Sequence, residues 1–519
     1  MRDKKNSTIF ITITLIISNV LVKFLGLARD VVLANTYGTS MYSDAYIVAN
    51  NIPVVIFSIV AVAISTAFIP IYSDIKEKYG EEKALKFTNN FINIVLVICL
   101  IITILGELFP AVLVKVFAYG FTNEAYELTL NFTKILIPTI IVTALMSISG
   151  SYLQLKGDFI PISYVTIPNN LIVIISIYIA YYKDSPYILA VGTSIAIISQ
   201  IIYYYPFMKR NEFKYEFYIN LKDEHLKKIL IMIIPVFIGT AVNEVNVIVD
   251  RSLVSGLEQG SIASLNYASK LTGFITGVFI VSIVTVVYPK MSNLSAKKEF
   301  EKLNCYLKNV LIVISLLLLP ITIMCIFYSR DVVQIIFERG SFDSKSTYMT
   351  AMALSSYCIG LIGIGFREIL TKAYFSLKDT KTPMINGAIG VGVNIILNII
   401  LIRKIGFIGS ALATSVTAII TVLLLINKIQ LSIGKIFDKE FNINLLKILI
   451  CSFISVVGCN LIYRNINNDT NNIIIHSILL MIVIIITFVI YIILLVVFKN
   501  EEVIKFKDLL LDKIKGRNF

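Results

Sequence analysis

The sequence predicts an all-α polytopic membrane protein, and three observations carry that prediction. Apolar residues fill 57% of the 519 positions, and Asp, Glu, Lys and Arg together only 15%; a soluble domain carries about a quarter charged residues. The apolar residues come in blocks longer than the ~18 residues that mark a bilayer-spanning helix. The blocks are continuous and do not alternate over ten positions, which excludes a membrane β-barrel. Backbone groups find no water inside a bilayer, so the helix is the form that remains.

About fourteen spans follow in order, at roughly 8–28, 43–72, 88–116, 128–153, 160–182, 186–207, 228–254, 261–288, 304–327, 347–375, 383–402, 407–427, 444–463 and 474–498. The first run lacks an A-x-A cleavage site and reads as a retained helix. Several of the runs are long enough to need tilt or to extend beyond the bilayer. Most of the 46 Lys and Arg sit at 2–5, 76–86, 156, 209–228, 290–308, 378–381, 428–447 and in the tail. This places both termini in the cytoplasm by the positive-inside rule, and an even span count agrees. The net charge of +13 thus reflects topology and not a nucleic-acid partner. Six scattered cysteines without a CxxC pair, and two distant histidines, indicate neither a disulfide framework nor a transition-metal site.

The chain repeats itself. VFAYGFTNEAYELT (116–129) resembles IFERGSFDSKSTYMT (336–350), and SYLQLKGDFIP (151–161) resembles KAYFSLKDTKTP (372–383). AFIPIYSD (67–74) resembles VVYPKMSN (286–293). Three matches at nearly one spacing mark an internal repeat. An even number of spans separates the copies, so they are parallel. The expected domains are a lobe at 1–215, a second lobe at 226–430, two further helices within 440–498, and a tail at 499–519. Val503, Phe506, Leu510 and Ile514 give that tail helical amphipathic spacing, which suits the inner leaflet or a solvated end. The loop at 209–228 is the expected hinge.

No nucleophile motif, Walker loop or HExxH is present, which argues against an ATP-driven pump and an intramembrane protease. The chemistry lies in ionisable residues in or beside apolar spans, where a charge costs about 2.5–3.5 kcal/mol on insertion scales. Lys115 reads as a snorkelling cation. Arg367, Glu368 and Lys372 share a helix, and Glu368–Lys372 reads as an i,i+4 pair. Asp250 and Arg251 read as a local ion pair or a site. Lys23 and Lys270 are mid-span lysines with no local acid. They need a cavity, a distant acid or an anionic ligand, and a phosphate-bearing ligand suits them. Asn394 and Asn398 share a helical face, with Thr414 on the next helix. They read as hydrogen-bond glue between helices or, with Asp250, as oxygens for a hard monovalent cation. Gly406, Gly409 and Ala413 suit close helix packing.

Taken together, LGLARDVVLANTYGTSMYSDAYIVANNIP, AFIPIYSD, IFERGSFDSKST, KAYFSLKDTKTPM and GFIGSALATS resemble the MurJ (MviN) family of lipid II flippases, over about residues 8–430. The resemblance implies the multidrug/oligosaccharidyl-lipid/polysaccharide exporter superfamily: two six-helix lobes in a V, plus two C-terminal helices, working by alternating access. It implies a bacterial plasma-membrane transporter without covalent chemistry or organic cofactor, acting on a lipid-linked oligosaccharide as a monomer. Family cavity positions fall on Lys23, Arg29, Asp30, Asp44, Asn51 and Lys270. A family sodium site falls on Asp250, Asn394, Asn398 and Thr414. This chain departs from the family arginine at Lys23, Asn51 and Lys270, and from a family acid at Asn398. Reduced cavity charge leaves a capsule-unit flippase as the alternative substrate class. A cation-coupled multidrug antiporter fits less well, because Lys23 and Lys270 oppose a cationic drug.

Overall fold

The computed structural model describes residues 2–467, 473–500, 502 and 504. The amphipathic positions expected in the tail lie outside them. Among the described residues there are helices and no strands. In order they are α1 (Arg2–Tyr37), α2 (Met41–Tyr79), α3 (Glu81–Leu108), α4 (Pro110–Phe117), α5 (Asn123–Leu136), α6 (Thr139–Leu155), α7 (Phe159–Tyr164), α8 (Thr166–Tyr182), α9 (Tyr187–Arg210) and α10 (Glu224–Val254). Then come α11 (Ser261–Ile275), a π-helical turn (Thr276–Ile280), α12 (Val281–Ala296), α13 (Phe300–Phe327), α14 (Ser329–Phe337), α15 (Ser344–Cys358), α16 (Leu361–Ser376), α17 (Lys381–Ile405), α18 (Ile408–Ile433), α19 (Lys439–Asn467) and α20 (Ile473–Val497). Nine of the described helices are long and apolar enough to cross a membrane, or up to eleven if each of two bent pairs is one span.

Two compact units divide the chain. The first is Met1–Ala263 with Arg339–Phe342; the second is Ser264–Glu338 with Asp343–Phe519. The core of the first gathers Phe68, Tyr72, Phe87, Phe91, Ile148 and Tyr152 from α2, α3 and α6. In the second, Leu311, Leu318, Phe366, Leu370, Tyr374 and Ile429 pack together from α13, α16 and α18.

The bent pairs show how the repeat is built. In the first unit α5 meets α6 at 44°, and in the second α15 meets α16 at 42°. A bend frees backbone carbonyls, and inside a bilayer those need a protein donor. Ser194 of α9 donates to the Ile135 carbonyl at 3.0 Å. Ser415 of α18 donates to the Ser356 carbonyl at 2.6 Å and lies 3.1 Å from that of Tyr357. The matched tyrosines behave alike too. Tyr152 donates its hydroxyl to the Asn211 carbonyl at 2.9 Å, and Tyr374 to that of Leu425 at 2.6 Å.

The loop read as a hinge is held fast within the first unit. Asn90 of α3 donates to the Asn220 carbonyl at 3.0 Å and accepts from its N–H at 2.7 Å. Asn89 donates to the Lys214 carbonyl at 2.9 Å, and Asn93 to that of Tyr218 at 3.2 Å. Asn89, Asn90 and Asn93 are buried. A primary amide has two donors and an acceptor and can replace the partners an extended segment lacks. Residues 211–223 therefore form a strap along α3 and not a slack connection. At its end Asp223 caps α10 by accepting the His225 N–H at 2.9 Å.

One expected pair is absent. No Glu368–Lys372 salt bridge forms among the described residues. The Lys372 ammonium lies 5.4 Å from the Phe375 ring centre and 5.9 Å from that of Tyr288. Its long stem reaches aromatic faces, and a cation–π contact takes the place of the i,i+4 pair.

Candidate functional site

In the first unit, α1 runs without a break through Lys23, Arg29 and Asp30. Arg29 Nε and Nη2 donate to Asp30 Oδ1 at 3.1 and 2.9 Å. Asp30 is buried and Arg29 partly exposed. A guanidinium carries five donors in a plane. Asp30 takes one edge and fixes the plane; the Nη1 edge makes no hydrogen bond among the described residues. Lys23 and Asn51 are half-buried, and neither has an ion pair or a side-chain hydrogen bond among the described residues.

Asp44 stands on α2, one turn past Ser40, and is buried. Its two oxygens accept the backbone N–H groups of Gly260 and Ala263, both at 2.7 Å. These amides open α11, so the carboxylate closes a helix N-terminus from a distant part of the chain. Arg251 Nη1 donates to the Ile262 carbonyl of the same turn at 3.4 Å. The end of α1 is tied as well: the Ser341 N–H donates to the Asn35 carbonyl in its last turn at 2.8 Å. Two glycines make the crossing possible. Gly38 and Gly260 have φ of +57° and +87°. A Cβ on either would collide with a backbone carbonyl, that of Ser341 or Thr39. The YGT and RGSF motifs thus converge on one knot of backbone with Asn35 and Gly260.

Glu244 is held by a residue the sequence did not single out. Ser58 Oγ on α2 lies 2.6 Å from Glu244 Oε1 on α10. A serine among apolar residues of a span gives no signal that it faces an acid.

In the second unit, Asn394 and Asn398 are buried on α17. Asn398 Nδ2 donates to Asn394 Oδ1 at 2.6 Å, and Asn394 Nδ2 lies 3.5 Å from Thr417 Oγ1 on α18. Thr414 donates to the Ser410 carbonyl at 3.1 Å. Asp250 belongs to the first unit, where Asn246 Nδ2 lies 3.4 Å from its Oδ2. Lys270 belongs to the second unit and is exposed on α11, with no ion pair among the described residues. Glu368, Lys372 and Tyr288 line a cavity of about 390 Å³ beside the π-helical turn. No group of three or more His, Cys, Asp or Glu able to hold a metal ion occurs among the described residues.

The family model described as lipid II flippase MurJ matches residues 33–483, the greater part of the chain. The chain belongs to the lipid II flippase MurJ family. It is 32% identical over 426 residues to the lipid II flippase MurJ of Thermosipho africanus, covering 82% of this chain and 86% of that one. It is 30% identical over 416 residues to the probable lipid II flippase MurJ of Buchnera aphidicola subsp. Baizongia pistaciae, covering 78% and 80%. Among solved structures it matches a lipid II flippase MurJ in an inward closed conformation at TM-score 0.81 and 30% identity, over 95% of this chain and all of that one. An inward-facing multidrug transporter of the MATE family shares the fold at TM-score 0.65 and 16% identity, over 80% of this chain and 94% of that one. The MurJ-family chain is therefore a multi-pass membrane protein, as its apolar helices require.

Proposed function

We propose that this chain is a lipid II flippase of the bacterial plasma membrane, with both termini cytoplasmic and fourteen spans. The eleven spans counted above are joined in this reading by α1, α2 and α10. It carries an undecaprenyl-diphosphate-linked peptidoglycan precursor from the inner to the outer leaflet by alternating access. The lobes are 1–215 and 226–430, and the chain acts as a monomer. No bond is made or broken. The observation that carries the reading is Arg29, fixed by Asp30 along one edge and open along the other, on the helix that also carries the half-buried Lys23. A fixed guanidinium edge matches two oxygens of a diphosphate. Lys23 and Lys270 add point charges, and Asn51 adds an amide donor. Asp44 acts through the knot at Asn35, Ser341 and Gly260, the closure that opens during the cycle. Sodium is the coupling ion of this reading, with Asp250, Asn394, Asn398 and Thr414 as its oxygens.

Replacing an essential lipid II flippase in cells with this chain tests the function. Wild-type protein restores growth, and Arg29→Gln, Lys23→Gln and Lys270→Gln reduce it while membrane expression stays constant. Failure of well-expressed wild-type protein to support growth overturns the substrate. Full rescue by the triple variant overturns the site.

A further inference from the structure

Three polar side chains of the second unit meet where α19 ends, α20 begins and α14 passes. Tyr463 is 1% exposed and His476 6%, whereas the Asp331 side chain keeps 21%. His476 Nε2 lies 2.5 Å from the Tyr463 hydroxyl and 3.1 Å from Asp331 Oδ1, and Tyr463 donates to that same Oδ1 at 3.0 Å. Val456, Cys459, Leu480 and Val483 form an apolar wall around them.

The triangle restricts where hydrogens can sit. An ionised carboxylate only accepts, and a phenol has one proton. With that proton directed at Asp331, the Tyr463 oxygen and Asp331 both turn lone pairs toward Nε2. In that arrangement Nε2 carries a hydrogen and is the donor of both contacts. The ring is then either the neutral Nε2–H tautomer or the imidazolium. The imidazolium places a full positive charge opposite Asp331 inside an apolar wall, where charge-assisted bonds are roughly twice as strong as neutral ones. Other ionisable groups nearby are few. Tyr328, at the end of α13, lies edge-on to Tyr463 at 5.5 Å between ring centres. Arg464 on α19 is exposed and lies 3.4 Å from Asn460 Oδ1. Cys459 on α19 is buried, and Arg330 on α14 is exposed. α20 has no other ionisable residue before Tyr491.

We propose that Asp331, Tyr463 and His476 form a proton-operated clasp that holds the start of α20 and the end of α19 against α14. Protonation of the imidazole tightens the clasp, and its loss loosens it. Asp331 is the route by which solvent protons reach the cluster.

The chain has two histidines, so His225→Gln leaves His476 as the only imidazole. Full-length protein in lipid nanodiscs, labelled at histidine, is titrated by NMR through the range of about pH 5 to 8 where imidazole changes charge. The expected result is one titration, whose midpoint moves when Asp331→Asn is added. Amide hydrogen exchange over 473–480, corrected for intrinsic rate, is expected to slow about tenfold on acidification, and to lose that dependence in His476→Gln. An imidazole that does not titrate in this range overturns the proposal. So does a midpoint indifferent to Asp331→Asn, or an unchanged pH dependence in His476→Gln. The His225→Gln titration leaves the cluster intact, so it decides the matter even where a cluster variant fails to fold.

Discussion

Ser415 donates its hydroxyl to the Ser356 carbonyl at 2.6 Å, across the bend between α15 and α16. Ser194 closes the matching bend in the other half of the repeat on the Ile135 carbonyl at 3.0 Å. Removing the Ser415 hydroxyl leaves a buried carbonyl without that donor, a loss of about 1–3 kcal/mol, whereas the Ser194 bond is only part-buried. Ser415→Ala is therefore expected to lower the melting temperature of the detergent-solubilised protein by several degrees. Ser194→Ala, whose bond is longer, should lower it less. Equal melting of wild type and both variants would sink this account of the bends.

Asp44 binds two backbone amides with its two oxygens, and hydrogen bonds to a charged group contribute about 1.5–3 kcal/mol each. Asp44→Ala is expected to abolish growth rescue and to expose the 255–263 segment to faster hydrogen exchange. Asp44→Asn keeps one acceptor and is expected to lie between. An Asp44→Ala protein with wild-type exchange over 255–263 would refute the capping role.

The strap along α3 gives a proteolytic readout. Asn90→Ala removes both bonds to Asn220. Trypsin should then cut at Lys214 and Lys222 faster in the variant than in wild type, in protein that otherwise stays folded. Unchanged cleavage would mean that Asn90 does not hold the strap.

Acid should loosen one link of the second unit. Lys308 on α13 holds the Asp438 carboxylate below its ordinary range, helped by the Phe441 N–H. A carboxylate lowered in this way contributes stability above its unfolded-state range and loses it as pH falls through the folded value. The melting temperature of wild type should therefore fall more steeply than that of Asp438→Asn as pH drops below about 4. Parallel curves would show that the link contributes nothing.

Much of the fold was legible because bilayer physics is strict. Long apolar runs forced helices, and the Tyr152–Tyr374 spacing exposed a repeat whose two tyrosines do the same work. What stayed hidden were partners that belong to the backbone. Asn89, Asn90 and Asn93 are three polar letters at the start of an apolar run, and nothing in that run says that they clasp the chain at 214–220. For the same reason 209–228 read as a hinge. Asp44 was visible through the family resemblance as a cavity position, but the amides it binds lie 216 and 219 residues away. Glu368 and Lys372 had the right spacing for a pair; helical spacing could not reveal that aromatic rings compete for the ammonium.

The asparagine row also dictates where the chain can be divided. Fragments separated at 215, where the repeat suggests a seam, would leave Asn90 and Asn93 on one polypeptide and their carbonyl partners on another. Reassembly would then have to rebuild a strand-like association between two molecules at a buried surface. A cut after α10 keeps the whole strap with α3, so co-expressed halves divided there retain every one of these amide contacts.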